Sequence, residues 1–391
     1  MKILYIHQYF KTPEEGGAIR SWHIASGMVQ AGHEVHLITS HNKPEQITRL
    51  INGITVTYLP IAYDNAFGFF KRTISFLRFI LSSYSCAKKI GGVDLCYATS
   101  TPITVGFVSL LLKRNKNIPY IFEVRDLWPE APIQMGVIKN SLLKYFLFKL
   151  EKNIYSHAKK IIALSPSMKD SIVKMCPAKE VVVIPNMSDC AFFQYKEKNE
   201  SLEKKIGIDG NFVVSYIGSA GLSNNLTYLV DIIDYCKKIK NTDLFFVIQA
   251  AGSELNYIQD EIKKINYPFV KFIPYSNKQG VKEVLNISDA VYISFDSKPI
   301  LQTNSPNKFF DALAAGRMVI VNTEGWLKDI IEKEGLGFYA NPKIPQDFID
   351  KIQPYINDKT RLHASQNNAR RVAEDYFSTD ILVAKVIETI C

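Results

Sequence analysis

Several features that define common protein classes are missing from this chain of 391 residues. Its six cysteines, at positions 86, 96, 176, 190, 236 and 391, form no C-x-x-C pair, which excludes a zinc ribbon and a thioredoxin-like motif. Their scattered spacing favours a reducing cytoplasm over a disulfide framework. No apolar run reaches the roughly 20 residues that span a bilayer, and the apolar N-terminus is too short for a signal peptide. We therefore expect a cytoplasmic protein, soluble or peripherally bound to a membrane.

Motifs of several enzyme classes are also absent. The chain has no G-x-x-x-x-G-K phosphate loop, no complete G-x-G-x-x-G and no G-x-S-x-G nucleophile elbow. His33-Glu34-Val35-His36 is one residue too short for the H-E-x-x-H zinc motif. The preceding Ala31-Gly32 is typical of a helix end that leads into a strand. The sequence therefore excludes phosphate-loop nucleoside triphosphatases and enzymes with the standard dinucleotide-binding fingerprint. It also excludes hydrolases with this nucleophile elbow and H-E-x-x-H zinc proteases.

Composition and patterning indicate two globular domains. Apolar residues make up 47% and charged residues 22% of the chain, and its length predicts two domains at roughly 100–200 residues each. Short β-branched runs alternate with longer helical patterns, which predicts βαβ units and parallel sheets. The predicted strands are 2–7, 34–39, 55–59, 93–98, 120–124, 160–164, 181–184, 212–217, 244–249, 270–273, 290–294 and 318–321.

The linker between the two domains is predicted near residues 185–189, because the strand pattern restarts at Phe212 after a polar stretch. We expect two doubly wound α/β domains. Ligands of such sheets bind beyond the carboxyl ends of the strands, so the cleft between the domains is the expected active site.

Positive charge is concentrated in the first half of the chain. The overall formal charge is +9, but residues 1–187 carry 23 Lys and Arg against 12 Asp and Glu, a net of +11. This asymmetry predicts that the first half faces an anionic partner. Nucleic acid and an anionic membrane are the two candidates.

Two segments of the first half combine polar residues with a strand end. Gly16-Gly17 lies between the first strand and a helix, where backbone N–H groups can approach an anion; an ordinary turn is the alternative. Residues 122–130 place Arg125, Asp126 and two glutamates at the carboxyl end of the fifth strand. Such charges serve a site, or they form a structural Arg–carboxylate pair.

The segment 297–316 carries the strongest signal. A polar loop leads from a strand to a helix that is predicted to open near Pro306, with Ser305 as its cap. The free N–H groups and the dipole at such a helix start attract phosphate, and Lys308 adds a positive charge. Asp311 shares a face with Lys308 and can hold ribose hydroxyls. The alternative is a capped helix with a surface Lys–Asp pair.

Taken together, these segments resemble a bacterial retaining glycosyltransferase of family 4, which has the GT-B fold. More narrowly, the chain is similar to transferases that build O-antigen and capsule repeat units. The resemblance covers essentially the whole chain. It is carried by residues 7–10 (HQYF) with Gly16-Gly17, 125–129 (RDLWP), 306–316 (PNKFFDALAAG) and 368–378 (NARRVAEDYFS, the terminal helix).

The resemblance implies a domain plan and a reaction. Residues 1–187 would form a Rossmann-like acceptor domain, 188–370 a Rossmann-like nucleotide-sugar domain, and 371–391 a helix that crosses back onto the N-terminal domain. The reaction would transfer a sugar, with retention, from a nucleotide diphosphate sugar to a lipid-diphosphate-linked saccharide in O-antigen or capsule synthesis. UDP is the expected nucleotide, and an N-acetylated aminosugar is a candidate sugar.

The resemblance also implies site residues. Arg125, Asp126 and Lys308 would be catalytic, and His7 and Arg125 would face the acceptor. Asp311 would hold the ribose and Tyr275 would contact the base. The residues implied to bind the nucleotide sugar are Gly16, Gly17, Ser219, Gly221, Gly252, Ser253, Tyr275, Asn304, Ser305, Pro306, Asn307, Lys308 and Asp311. No metal or other cofactor is expected, because the chain has no D-x-D to hold a divalent ion against the donor.

Two departures from the family pattern concern the donor site. Thr303 and Asp311 stand where the family usually has a pair of glutamates. The loop 218–225 has no basic residue, although this loop often supplies an Arg and a Lys to the diphosphate. The diphosphate charge would then rest on Lys308, on helix N-termini and on Lys298.

The acceptor prediction rests on two basic stretches. Residues 65–93 contain five Lys or Arg, including Lys71, Arg72 and Arg78, many aromatic residues and no acid. Residues 139–160 mix six Lys with apolar residues. Basic amphipathic helices with aromatic residues are typical of membrane-surface elements; the alternative is that they only cover the sheet. We expect a peripheral protein at the inner face of the plasma membrane.

Two other functions remain open at this point. A nucleic-acid-binding module would use the basic charge, but the chain shows none of the usual motifs. A nucleotide-sugar epimerase of the same fold would need no basic amphipathic face, so pelleting with membranes separates it from the transferase.

Overall fold

The computed structural model describes residues 1–15, 19–64, 67–208 and 210–391, and the backbone alone of Phe69. Gly16 and Gly17 therefore lie outside the described residues. The chain forms two compact units. The first unit contains Met1–Pro185 and Leu382–Cys391, and the second contains Asn186–Ile381.

The first unit is built on an eight-stranded sheet. The strand order is β3-β4-β2-β1-β5-β6-β7-β8, and all neighbours are parallel except the β3–β4 pair. Its strands are β1 (Lys2–Ile6), β2 (Glu34–His41), β3 (Ile47–Ile51), β4 (Ile54–Pro60), β5 (Leu95–Thr99), β6 (Tyr120–Val124), β7 (Lys160–Ala163) and β8 (Val181–Val183). Its helices are α1 (Arg20–Gln30), α2 (Phe69–Ala87), α3 (Thr104–Lys116), α4 (Glu130–Gln134), α5 (Ser141–His157) and α6 (Pro166–Met175).

Local chemistry explains how these elements form. Every residue of β5 and β6 is buried, as expected for parallel strands that are covered on both faces. The Ser165 hydroxyl accepts a hydrogen bond from the Met168 N–H, and Pro166 opens α6. Strands β2 and β5 flank β1, so the winding direction reverses between β1 and β5, where ligands of such sheets bind.

The second unit is built on a six-stranded parallel sheet. Its order is β11-β10-β9-β12-β13-β14, which reverses the winding between β9 and β12. Its strands are β9 (Phe212–Ser219), β10 (Leu244–Ala251), β11 (Val270–Pro274), β12 (Ala290–Ile293), β13 (Met318–Val321) and β14 (Gly337–Tyr339). Its helices are α7 (Glu200–Ile206), α8 (Thr227–Lys238), α9 (Leu255–Ile265), α10 (Lys278–Ile287), α11 (Asn307–Ala314), α12 (Trp326–Glu334), α13 (Pro345–Asn357) and α14 (Lys359–Val372).

The last helix, α15 (Thr379–Ile390), passes from the second unit to the first, because residues from Leu382 onward belong to the first unit. It packs on α1 at a glycine. A Cβ built on Gly27 would lie 2.1 Å from Val383 Cγ1, so this close packing requires the missing side chain. A larger residue at position 27 would force the two helices apart.

The prediction of doubly wound parallel sheets is confirmed. All twelve predicted strands form, with ends that differ by a few residues. Strands β3 and β14 were not predicted from the sequence. In the described part of the chain, no helix is long and apolar enough to cross a membrane.

Candidate functional site

The Lys308 amine lies at the reversal point of the second sheet. Lys308 is in the first turn of α11, which follows β12, and its Nζ donates to Tyr216 Oη at 2.9 Å and to Asn224 Oδ1 at 3.2 Å. The same Nζ lies 4.2 Å from the centroid of the Tyr216 ring. Burial lowers the pKa of Lys308 to about 7. The amine is thus held at the carboxyl end of β9, and its charge at neutral pH depends on what binds there.

Two glycines allow the loops around this amine to pack closely. Gly218 has a φ of +137°, and a Cβ there would lie 3.1 Å from Lys308 Cε and 3.2 Å from its Nζ. Gly252 has a φ of +145°, and a Cβ there would lie 2.3 Å from the Ala220 carbonyl oxygen. Both positions need glycine for conformation and for space. The loops that follow β9 and β10 therefore meet beside the amine.

The start of α11 differs from the predicted cap. The helix opens at Asn307 after Pro306, as expected, but no side chain caps it. The Ser305 hydroxyl instead accepts a hydrogen bond from the Asn186 N–H at 3.2 Å. The prediction that Ser305 caps the helix is wrong, because this distant backbone donor engages its hydroxyl. The Asn304 carbonyl accepts from Trp326 Nε1 at 2.8 Å, which fixes the loop that leads into α11.

Asp311 lies one turn further along α11 in a different environment. Burial raises its pKa to about 7, the carboxylate of Asp189 adds to this rise, and the Lys278 ammonium opposes it. Lys278 in turn forms an ion pair with Asp189. The alternative of a surface Lys308–Asp311 pair is therefore not what the structure shows, since Lys308 bonds to Tyr216 and Asn224.

The other predicted donor residues share the carboxyl edge of this sheet. Ser219 ends β9 and Gly221 follows it, Gly252 and Ser253 follow β10, and Tyr275 follows β11. The Tyr275 side chain is 53% exposed, so its ring is open to a ligand. Parallel topology brings these residues to one edge. The Ser219 carbonyl there accepts a hydrogen bond from Tyr216 Oη, the hydroxyl that also accepts from Lys308.

Tyr216 and Asn224 are the site residues that the sequence analysis missed. Tyr216 fits an ordinary buried strand, and Asn224 sits in a loop that was noted only for its lack of cations. They lie 92 and 84 residues before Lys308 in the chain. A local signal could not have identified them.

In the first unit, the predicted acceptor residues form a second group. His7 is 3% exposed, and burial together with the positive charge of Arg125 holds its pKa well below the usual range. Burial raises the pKa of Asp126 to about 6, and Arg125 opposes that rise. The Arg125 N–H donates to Ser100 Oγ at 3.0 Å. The structure therefore brings His7, Arg125 and Asp126 into one electrostatic cluster.

The charged segment 122–130 also contains a structural pair, but with another partner. Glu123 Oε2 lies 3.0 Å from Arg20 Nη2, with both side chains almost fully buried. Tyr97 donates to the same carboxylate at 2.7 Å, and burial of these groups is compensated by their mutual hydrogen bonds. Glu123 is thus structural, and Arg125 and Asp126 are left for the candidate site.

The three predicted membrane residues lie on α2. Lys71 and Arg78 are exposed, and Lys71 Nζ lies 3.8 Å from the Phe67 ring centroid. The Arg72 Nε donates to the Phe67 carbonyl at 2.7 Å. Arg72 therefore also holds the loop before α2. Among the described residues, no group of three or more His, Cys, Asp or Glu is arranged to hold a metal ion.

Comparison of this fold with solved structures gives extensive matches. A sucrose-phosphate synthase of Thermosynechococcus elongatus matches with a TM-score of 0.79 and 14% identity, covering 100% of this chain and 98% of that one. HepE of Anabaena, in complex with UDP and glucose, matches with a TM-score of 0.70 and 16% identity, covering 100% and 99%. At these identities the likeness concerns the fold.

Family models match both halves of the sequence. Residues 15–192 match Glycosyltransferase Family 4, and residues 198–372 match Glycosyl transferases group 1. The chain belongs to the glycosyltransferases of the GT-B fold. The first match contains Arg125 and Asp126 but begins after His7, and the second contains Lys308 and Asp311.

Two curated relatives agree with this family. An uncharacterized glycosyltransferase of Methanocaldococcus jannaschii is 24% identical over 99% of this chain and 97% of its own length. The capsular polysaccharide biosynthesis glycosyltransferase CapM of Staphylococcus aureus is 25% identical over 65% of this chain and 68% of its own. The predictions of a glycosyltransferase and of the GT-B fold are confirmed.

Proposed function

We propose that this glycosyltransferase moves a sugar, with retention of anomeric configuration, from a UDP-linked donor to a lipid-diphosphate-linked saccharide of a bacterial surface polysaccharide. The observation that carries the proposal is the placement of the Lys308 amine. It lies at the start of α11 and donates to Tyr216 and Asn224, and Gly218 is so close that a Cβ there would lie 3.2 Å from it.

The chemical task of such a site is to stabilise a departing diphosphate. A lysine ammonium and the N-terminal dipole of α11 both attract the negative charge that develops on that leaving group. Gly218 lets the phosphate oxygens approach the backbone, as a side chain there would already contact Lys308. We assign no enzymic nucleophile.

The remaining donor contacts follow from the same edge of the sheet. Asp311, whose pKa of about 7 lets it accept or donate a hydrogen bond, would hold the ribose hydroxyls. Tyr275 would contact the base, and Gly252 and Ser253 would line the nucleotide pocket. The UDP and glucose bound to HepE support a UDP-sugar for this chain. We propose that no metal is needed.

The proposed acceptor site lies in the first unit. His7, Arg125 and Asp126 would meet the acceptor saccharide, and the positive charge of residues 1–187 would meet the lipid diphosphate and an anionic membrane surface. The similarity to CapM supports a role in capsule or O-antigen assembly.

Ligand-induced thermal shifts test the donor assignment. UDP should stabilise the protein more than GDP, ADP or dTDP, because a ligand that binds only the folded state raises its stability. Lys308→Ala should abolish the shift and lower sugar transfer at least hundredfold, since one charged contact of this kind is worth about 3 kcal/mol in the transition state.

A matched control separates this role from general damage. Lys328 also lies over a tyrosine, with its Nζ 4.6 Å from the Tyr339 ring centroid in the same unit. Lys328→Ala should keep the UDP shift. A Lys308→Ala protein with normal UDP binding and turnover would contradict the assignment of α11 as the donor site.

A further inference from the structure

Helix α2 exposes a row of large apolar side chains. Ile74, Leu77 and Leu81 are 56%, 55% and 71% exposed, and Phe70 is 82% exposed. Their spacing of four, three and four residues places them on one face of the helix. The opposite face is buried, with Ser75, Phe79 and Ser83 at 5%, 0% and 0% exposure. The row is therefore not the face that covers the sheet.

The segment before α5 and the first turns of that helix expose a second apolar group. Its members are Val137 at 53%, Leu142 at 65%, Tyr145 at 61% and Phe146 at 55% exposure. Helix α3 packs against both α2 and α5, so the two groups belong to one layer of helices. We call these two groups together the apolar face. Large apolar surfaces of this kind usually mark an interaction site.

The two sequence segments that carry the apolar face contain positively charged side chains and no negatively charged ones. Residues 67–93 and 131–150 contain no Asp or Glu. Lys71, Arg78, Lys139 and Lys149 are exposed within them. Exposed apolar side chains flanked by cations suit a lipid leaflet, because the cations attract its anionic headgroups and the apolar side chains fit among its acyl chains. A partner protein with an ordinary mixed-charge surface would not match this pattern.

The topology places the apolar face next to the candidate acceptor cluster. Helix α2 follows β4, and the segment with α5 follows β6. Both helices therefore begin near the carboxyl edge of the parallel sheet, where His7 and Arg125 lie. A lipid-anchored saccharide at that edge would remain attached to the leaflet.

From these observations we propose that the apolar face inserts into an anionic lipid leaflet, with α2 and the start of α5 entering the acyl region together. The inference rests on the proposed function for its lipid-linked acceptor, and it adds the mode of membrane binding. Binding then has a salt-sensitive part from the cations and a salt-resistant part from the inserted side chains.

Vesicle co-sedimentation separates these two parts. The probes are vesicles of phosphatidylcholine with phosphatidylglycerol, at low salt and at ~0.5 M NaCl, where charge is screened beyond about 4 Å. Leu77→Ser/Leu81→Ser should lose binding at both salt levels, by about a hundredfold, because two large side chains no longer leave water. Lys71→Glu/Arg78→Glu should lose mainly the salt-sensitive part.

The matched control changes exposed apolar residues outside the face. Leu50 and Tyr257 are 75% and 55% exposed, and Leu50→Ser/Tyr257→Ser should bind vesicles like the unchanged protein. Insertion is read directly from a tryptophan in place of Leu77. Lipids brominated on the acyl chain should quench Leu77→Trp more than Leu50→Trp.

Equal vesicle binding by Leu77→Ser/Leu81→Ser and the control, or equal quenching of the two tryptophan variants, would overturn the proposal. A lipid-free dimer that Leu77→Ser/Leu81→Ser converts to a monomer, without any vesicle binding, would also overturn it in favour of a second copy of the chain. Retention of the UDP thermal shift in these variants keeps the test independent of the donor site.

Discussion

Lys308 should take up a proton when a diphosphate binds. Burial lowers the pKa of its amine to about 7 in the ligand-free protein, so raising the pH above 7 removes the positive charge. A bound diphosphate favours the charged form. Binding above pH 7 must therefore recharge the amine, and affinity should fall as the pH rises.

The size of this effect follows from the charges involved. Two opposite unit charges about 4 Å apart attract by about 4 kcal/mol at an effective dielectric constant near 20, which corresponds to about three pKa units. The pKa of Lys308 would return to about 10 in the complex. At pH 8.5 the uptake should approach about one proton per UDP, and affinity should be about fifteenfold weaker than at pH 7.

Calorimetric titration with UDP measures both quantities. The binding enthalpy at pH 8.5, compared between buffers of different ionisation enthalpy, gives the number of protons taken up. The range from pH 7 to 8.5 avoids the titration of the terminal phosphate near pH 6. Lys308→Arg is the control, because a guanidinium stays charged over this range. Its affinity for UDP should lose the pH dependence that Lys308 causes and keep only what Asp311, whose pKa is about 7, contributes. Flat affinity and no proton uptake in the unchanged protein would refute the reasoning.

Three further predictions concern the metal, the buried ion pair and the glycine beside Lys308. Sugar transfer should be unchanged in EDTA, and loss of activity that Mn²⁺ or Mg²⁺ restores would contradict this. Arg20→Met should lower the free energy of unfolding in urea by about 3–5 kcal/mol, because it leaves the Glu123 carboxylate buried without its cation; Arg20→Met/Glu123→Gln should recover part of the loss. Gly218→Ala should weaken UDP binding at least about tenfold, since its Cβ would press on the Lys308 amine at a positive φ. Gly221→Ala should not, because a Cβ there meets nothing within 4 Å.

The fold could be predicted largely because its central strands are buried on both faces. Runs such as β5 and β6 contain no exposed position and are visible in the sequence as apolar stretches. Strand β3 gives no such signal, since its burial pattern is mostly exposed and it pairs only with β4 at the sheet edge. Strand β14 has three residues, too few for a periodic pattern.

In the candidate site, features set by neighbouring residues could also be predicted, and features set by residues distant in the chain could not. The helix start with Lys308 could be predicted, because a strand, a polar loop and a proline follow one another within a short segment. The hydroxyl of Ser305 could not, since it accepts from the backbone of Asn186, more than a hundred residues earlier. Tyr216 and Asn224 reach the amine only because β9 and β12 are neighbours in the sheet.

The missing cations of loop 218–225 change the electrostatics of the proposed donor site. With a pKa of about 7, Lys308 carries only about half a positive charge at neutral pH when no ligand is bound. Protonating a desolvated amine costs free energy, which the negative charge of a bound ligand offsets. A monophosphate carries less negative charge than a diphosphate and therefore offsets less of this cost. In the proposed site the amine therefore keeps a lower pKa with UMP than with UDP. Its contribution to the discrimination between UDP and UMP should decrease from pH 7 to pH 8.5, because the charge that discriminates is lost as the pH rises. The helix dipole of α11 cannot provide that dependence, because backbone N–H groups do not titrate in this range.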